Sequence, residues 1–383
     1  MSGVIDRVGG AARRVSLRNY TLLLVLVLVW AVFQILTKGI FLTQRNLTLM
    51  GLQTCITALA AISAVLLIIT RNFDISVGSA VALVGVVLAW LTVRSGVDPL
   101  LAVAISMAVG LALGAWNGWW VTRVGVPSFI VTLAGMLCFR GLSMMATNGA
   151  TVSPVPPSVK ELAIGYLPAI PSIVLVMGGL AVFSAFQVSS ARRAKALGLI
   201  GDTTPRILRA LAPAAVGALI AIYVGSSQGI PYLMLLLAIC AIGAEILLRR
   251  TPYGAKLYAI GGNPTAARLA GIDVDRAIFR NWLIAGLAYG ITGIALTARV
   301  SGAVAGSAGL FLELDAIAAA IIGGTSLAGG RGTIFGAMLG ALLMGSLNNG
   351  MSLLNMPTFY QDTARGIVLL VAVAADVVGR RRS

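Results

Sequence analysis

The chain is a succession of apolar segments, most of them long enough to cross a lipid bilayer, joined by polar stretches. Residues 20–39, 47–69, 76–93, 99–122, 127–147, 169–188, 210–225, 231–248, 281–299, 313–328, 333–355 and 362–379 carry few charges. About 20 helical residues span the hydrocarbon core, and there every backbone N–H and C=O must be bonded inside the chain. A helix meets that demand within a single segment. The predicted fold is therefore all-α, a polytopic integral membrane protein with about 10–12 transmembrane helices. Residues 210–225 and 313–328 are short and read as half-helices or re-entrant segments. Composition agrees: 58% of the 383 residues are hydrophobic and only 10% are charged. A soluble domain carries about 25% charge to coat its surface, so a soluble globule and a disordered chain are both excluded.

The formal net charge of +16 could indicate a nucleic-acid partner. Its placement says otherwise. With the N-terminus inside, twelve crossings put 21 Lys and Arg on the inner side and four (Lys38, Arg45, Arg94, Lys160) on the outer side. That is the bias that orients a chain in a membrane, with both termini cytoplasmic. The partner implied by the charge is membrane lipid, and no nucleic acid. Residues 1–19 read as a cytoplasmic segment with amphipathic helical spacing (Ile5, Val8, Ala12, Val15). Residues 20–379 form the membrane domain, and 380–383 a cytoplasmic tail. Two connections are more than hairpins: the Pro- and Ser-rich outer loop 148–168 and the inner loop 249–280.

Several chemistries are absent. There is no histidine, hence no usual general base and no commonest metal ligand. The three cysteines (Cys55, Cys138, Cys240) lie far apart in apolar runs and read as packing residues. No phosphate-cradling P-loop pattern exists, so the chain is no ATPase and any energy from ATP must enter through another subunit. No enzymatic activity, cofactor or metal is expected. Acidic residues hug the span ends: Asp74, Glu245, Glu313, Asp315 and Asp362. An ion-coupled carrier wants them at mid-membrane, so a secondary carrier remains only the alternative reading. Glu245 and Arg249 are spaced i,i+4 and favour a local ion pair.

Groups that suit the path of a neutral polar solute are Asp74 and Ser76 at an inner mouth, and Arg140 in the outer third of its span. Thr325, Ser326, Asn348 and Asn349 in late spans join them. For Arg140 an ion pair with Glu313 or Asp315 is the reading favoured over the path, and the amides and hydroxyls equally suit helix-to-helix hydrogen bonds. The cluster Trp116, Asn117, Trp119, Trp120 reads as an aromatic belt at the inner interface more than as a sugar-stacking platform. Two glycine ladders, Gly110/Gly114/Gly118 and Gly332/Gly336/Gly340, each clear one helix face for close approach.

The inner loop is the most informative stretch. It reads Tyr258-Ala-Ile-Gly-Gly-Asn263-Pro264-Thr-Ala266-Ala267-Arg-Leu-Ala-Gly271-Ile272. Pro264 suits the first turn of a helix and Asn263 can cap it. Ala266, Ala267 and Gly271 then give a small-residue face that fits a cleft on another protein.

This loop resembles the cytoplasmic coupling loop of permeases of ATP-binding cassette importers, in particular the sugar-importing branch (ribose, xylose, arabinose and galactoside). Other stretches agree: Asp74-Ile-Ser76-Val-Gly78-Ser79, Pro127 to Gly135, Glu313 to Ala319, and Gly323 to Gly330. The likeness runs from about residue 45 to 375. The stretches Gly114 to Trp120, Thr151 to Pro154 and Asn349 to Leu354 resemble the xylose-type members, as does added length around 170–230. Residues 71–73 depart from the branch: Arg-Asn-Phe stands where relatives often have Gly or Glu.

The resemblance implies a homodimeric permease in a bacterial inner membrane that moves a monosaccharide, D-xylose first. It implies ABC ATPase subunits docked at Gly261, Gly262, Asn263, Ala266, Ala267 and Gly271, and a periplasmic sugar-binding protein on the outside. ATP and Mg would be used by the partner alone. Ribose, galactose or a furanosyl signal molecule is the alternative cargo.

Overall fold

The computed structural model describes residues 22–196 and 229–381. The helices, in chain order, are α1 (Leu22–Leu36), α2 (Gln44–Ile69), α3 (Val77–Ala89), α4 (Pro99–Trp119), α5 (Ser128–Thr147), α6 (Pro157–Ile164) and α7 (Ala169–Ala196). After them come α8 (Tyr232–Arg250), α9 (Pro252–Gly262), α10 (Pro264–Leu269), α11 (Val274–Val300), α12 (Leu312–Ile322), α13 (Ile334–Leu353) and α14 (Thr358–Arg381). Both α3 and α4 finish in a π-helical turn, Trp90–Arg94 and Trp120–Val124. Seven of the described helices are long and apolar enough to cross a membrane, as an all-α polytopic chain requires. The expected span 210–225 and the N-terminal segment 1–19 lie outside the described residues.

Two expectations shift. The span placed at 281–299 begins earlier, because Asp273 caps the helix through the Arg276 amide at 3.0 Å. The span placed at 313–328 stops at Ile322. Gly323 and Gly324 end it there, the latter at φ +100°, a conformation that L side chains rarely adopt. Thr325 and Ser326 thus stand in an irregular loop rather than in a helix.

The chain divides into two units, residues 164–235 and the remainder. In the smaller one, Tyr166–Leu167 pairs antiparallel with Ile230–Pro231. The Ser172 hydroxyl ties the start of α7 to this ribbon, donating to the Leu167 carbonyl and accepting from the Ile230 amide.

In the larger unit α2 is the central post. Every residue from Thr54 to Ile69 is buried. This helix is apolar all round, the pattern of a helix enclosed by others. Around it stand α11, α12 and α13. The first glycine ladder lies on α11: Gly110 and Gly114 face Gly286, and Gly118 faces Trp282. The second faces α12, with Gly336 on the Gly323 backbone and Gly340 on Ala319. In lipid the apolar effect does not drive helices together, so such close backbone approach supplies the packing. By contrast α5 and α8 present Leu137, Ile239 and Ile242 outward. The loop 148–168 is ordered by a short ribbon in which Thr151–Val152 pairs with Ala303–Val304.

Candidate functional site: a clamped helical lever and a polar cavity

The loop 249–280 folds as expected from its capping residues. Thr251 and Asn263 cap α9 and α10 through the Gly254 and Ala266 amides, with Pro252 and Pro264 in the first turns. The two helices and the start of α11 enclose a small core of Ile260, Ala267, Val274 and Ala277. Ala267 is only 4% exposed, so its methyl group supports this turn from within and does not belong to an outer face. Gly261 is buried as well, its α-carbon against the Ile69 carbonyl and the Gly330 amide. Gly262, Asn263, Ala266 and Gly271 are exposed, and Leu269 between them is 86% exposed. Open space surrounds Gly262 and Gly271.

This turn is fastened to the membrane helices. Arg71, just beyond the end of α2, donates from Nε to the Gly261 carbonyl and from Nη2 to the Gly262 carbonyl, each at 2.7 Å. These are the free carbonyls at the C-terminus of α9, where a cation is also favoured by the helix dipole. Gly330 donates its amide to the Ile69 carbonyl at 2.9 Å. The Tyr258 hydroxyl donates to the Gly332 carbonyl at 2.9 Å. Glu245, paired with Arg249 at 2.5 Å as expected, also accepts from the Ile334 amide that opens α13. Arg71 was legible only as a departure from the family pattern; nothing local marks its acceptors, 190 residues away.

Asp74 and Ser76 sit together in a closed knot. The Asp74 carboxylate accepts from the Ser76 amide and hydroxyl at 2.8 and 2.6 Å and from the Tyr289 hydroxyl at 2.5 Å. Asn117 donates to the Ser76 hydroxyl at 2.9 Å. Asp74, Ser76, Asn117 and Tyr289 are all buried, which joins the segment leading into α3 to α4 and α11. Sequence reasoning missed Tyr289, because one tyrosine in an apolar helix carries no periodic signal. The tryptophans flanking Asn117 pack edge-on, at 5.8 and 5.0 Å between centroids, and Trp116 and Trp119 are half-exposed.

Thr325 and Ser326 lie in the loop beside the lever. Ser326 accepts from the Ala328 amide, while the fully buried Thr325 hydroxyl has no partner among the described residues. The remaining candidates stand at the opposite ends of these helices. Arg140 does not pair with Glu313 or Asp315 as expected. Its Nη1 donates to the Ala305 and Ala308 carbonyls at 3.1 and 2.6 Å. The segment between α11 and α12 has free carbonyls that satisfy the guanidinium. Asn349 pairs through its amide with Asn46 on α2, at 2.8 and 3.1 Å in the two directions. It is a helix-to-helix bond. Asn348 instead donates to Asp315 at 3.1 Å and accepts from Arg365 at 3.0 Å.

Asp315, Asn348 and Arg365 line a cavity of about 290 Å³ together with Gln53, Thr57 and Arg299. That is near the lower end of small-molecule sites, about 300–1,000 Å³. The sequence candidates thus separate into a group around the turn of α9 and α10 and a group around the cavity. Among the described residues no cluster of three or more His, Cys, Asp or Glu could hold a metal ion.

A family model for the branched-chain amino acid transport system / permease component matches residues 46–373. The xylose transport system permease protein of Escherichia coli K12 is 41% identical over 372 residues, 97% of this chain and 94% of the relative. That of Haemophilus influenzae is 41% identical over 373 residues, 97% of this chain and 99% of the relative. The ribose import permease protein of E. coli K12 is 35% identical over 336 residues, 88% and 87% of the two chains. No solved structure matches. The membrane helices, the fastened inner turn and these similarities converge: the chain is a multi-pass membrane protein that belongs to the permease-component family of branched-chain amino acid type transport systems.

Proposed function

We propose that this chain is the membrane subunit of an ATP-binding cassette importer that carries D-xylose across a bacterial inner membrane. Both termini lie in the cytoplasm, as the charge bias favours. The observation that carries the reading is the exposed turn of Gly262, Asn263, Ala266, Leu269 and Gly271, fastened by Arg71 to the central post. The small residues let a partner's backbone come close, and Leu269 offers it an apolar anchor. An isolated cytoplasmic hairpin has no use for an apolar residue left 86% exposed. ATPase subunits dock there, a periplasmic sugar-binding protein docks on the opposite side, and a second copy of the chain completes the pore.

The mechanism follows from the fastening. When the ATPases close, they displace α9 and α10. Two charge-assisted bonds from Arg71 and the Ile69–Gly330 bond carry that displacement into α2 and into the loop 323–333. The loop holds α12 against α13, so the motion reaches both helices that end at the polar cavity. Gly261 is part of this joint and Ala267 is part of the lever's interior, so neither needs to touch the ATPase. This chain hydrolyses nothing; it converts a push at one end into a change of access.

Ribose is the second cargo reading, favoured by the 35% identity to a ribose import permease. The test is purification of the chain from its host in mild detergent, identification of the proteins that accompany it, and uptake by the reconstituted assembly. The expected result is an ATPase and a binding protein holding D-xylose, with ATP-dependent uptake. Uptake by the chain alone, abolished by an uncoupler, refutes the reading; a binding protein holding ribose changes the cargo.

A further inference from the structure

Arg299 is the least explained charge in the larger unit. It lies near the end of α11 and its side chain is mostly withdrawn from solvent. Among the described residues it has no carboxylate partner, and its buried Nε has no acceptor. A guanidinium in a membrane-spanning helix ordinarily faces a partner or a wet cavity. Arg299 does line a cavity, and the same cavity is lined by Asp315, 7% exposed, with one oxygen on Asn348 and the other without a hydrogen bond, 3.8 Å from Arg365.

The wall therefore mixes strong donors with a strong acceptor. A phosphate or carboxylate would meet the Asp315 charge, and a free cation would meet two arginines. A neutral solute with several hydroxyls satisfies both kinds of group, since each hydroxyl both donates and accepts. We propose that this cavity is a transit subsite for a polyhydroxylated solute, in which Arg299 donates to one solute oxygen and Asp315 accepts from a solute hydroxyl. The inference rests on the functional reading above and deepens it: discrimination would not reside wholly in the binding protein. Retention is weak, because a site on a conduction path must release what it binds.

The test uses the full chain in lipid nanodiscs, with Cys55→Ala, Cys138→Ser and Cys240→Ala removing the native thiols. Ser352→Cys, on the cavity wall, reports access through its rate of alkylation; Ser307→Cys is a second reporter should the first fail to fold. The probe is D-xylose, with sodium phosphate as the anionic comparison. The expected result is a slowing of alkylation by about threefold or more at several times a millimolar Kd, lost on adding Arg299→Gln. An unchanged rate, or equal protection by phosphate, overturns the subsite. Uptake by the reconstituted assembly is measured in parallel. D-xylose uptake without protection sinks the subsite and leaves the importer reading standing. Protection without ATP-dependent uptake of any sugar sinks the importer reading instead.

Discussion

Replacing Gly114 by alanine adds one methyl group at a helix contact that has no room for it. A β-carbon built there falls 2.6 Å from the Gly286 α-carbon, and closer still to the Trp282 carbonyl oxygen. Ordinary contact begins at 3.4 Å, so α4 and α11 must part locally by at least about 0.8 Å, and by more at the Trp282 carbonyl. Both obstacles are backbone, which cannot rotate away as a side chain can. A gap of that order forfeits roughly a quarter to a half of the attraction between facing atoms, and overpacking of this kind costs about 1–3 kcal/mol. Alanine returns about 1 kcal/mol through its better helix propensity. The net expectation is a destabilisation on the order of 0–2 kcal/mol, which makes the difference from a position with free space the quantity to read. Gly141→Ala on α5 provides the comparison, because nothing lies within 4 Å of its β-position; it should be neutral or slightly stabilising. Thermal unfolding of the two variants in the same detergent, followed by near-UV circular dichroism, gives the difference. A Gly114→Ala chain as stable as Gly141→Ala would falsify the close approach of α4 and α11.

Three other perturbations test separate joints. Asn46→Ala and Asn349→Ala, alone and together, should show a coupling of about 0.6 kcal/mol, and at most roughly 1.7, the span measured for hydrogen bonds between membrane helices; additive losses would mean that the paired amides do not meet. Arg71→Gln should leave the chain folded and the ATPases bound, yet lower sugar moved per ATP by roughly tenfold, about 1.4 kcal/mol of lost transmission; unaltered coupling would remove Arg71 from the lever. Tyr253 donates to the Ala277 carbonyl at 3.0 Å, and burial pushes its phenol above the ordinary value. An unfolded tyrosine ionises near pH 10, so the contribution of Tyr253 is full below that and is lost as pH rises toward the folded value. Tyr253→Phe should cost about 1 kcal/mol at neutral pH and flatten the loss of stability at alkaline pH; an identical alkaline profile in both proteins would show that the phenol is not held there.

Much of the fold was legible because its causes are local. A bilayer demands about 20 apolar residues per helix, and that demand is written directly in the spans. Asn263 and Pro264 cap and open α10 with residues no more than three positions away. The glycine ladders clear a helix face by their spacing alone. Where local reading failed, longer-range geometry had taken over. Ala267 looked like part of an outer face until Ile260, Val274 and Ala277 closed around it. Thr325 and Ser326 looked helical because the run is apolar, whereas Gly323, pressed against Gly336, and Gly324, at positive φ, ended the helix before them.

By itself, then, the amino-acid order determined that this chain lives in a membrane, where most of its helices start and which faces can come close. Only the tertiary structure decided who meets whom: Arg71 with Gly261 and Gly262, Asn46 with Asn349, Arg140 with two backbone carbonyls, and Arg299 with an open cavity. The reason is physical. Lipid tails are as apolar as a protein interior, so the enclosed α2 and the outward-facing α8 read alike in sequence, and helix order in space stays hidden until the polar side chains find their partners.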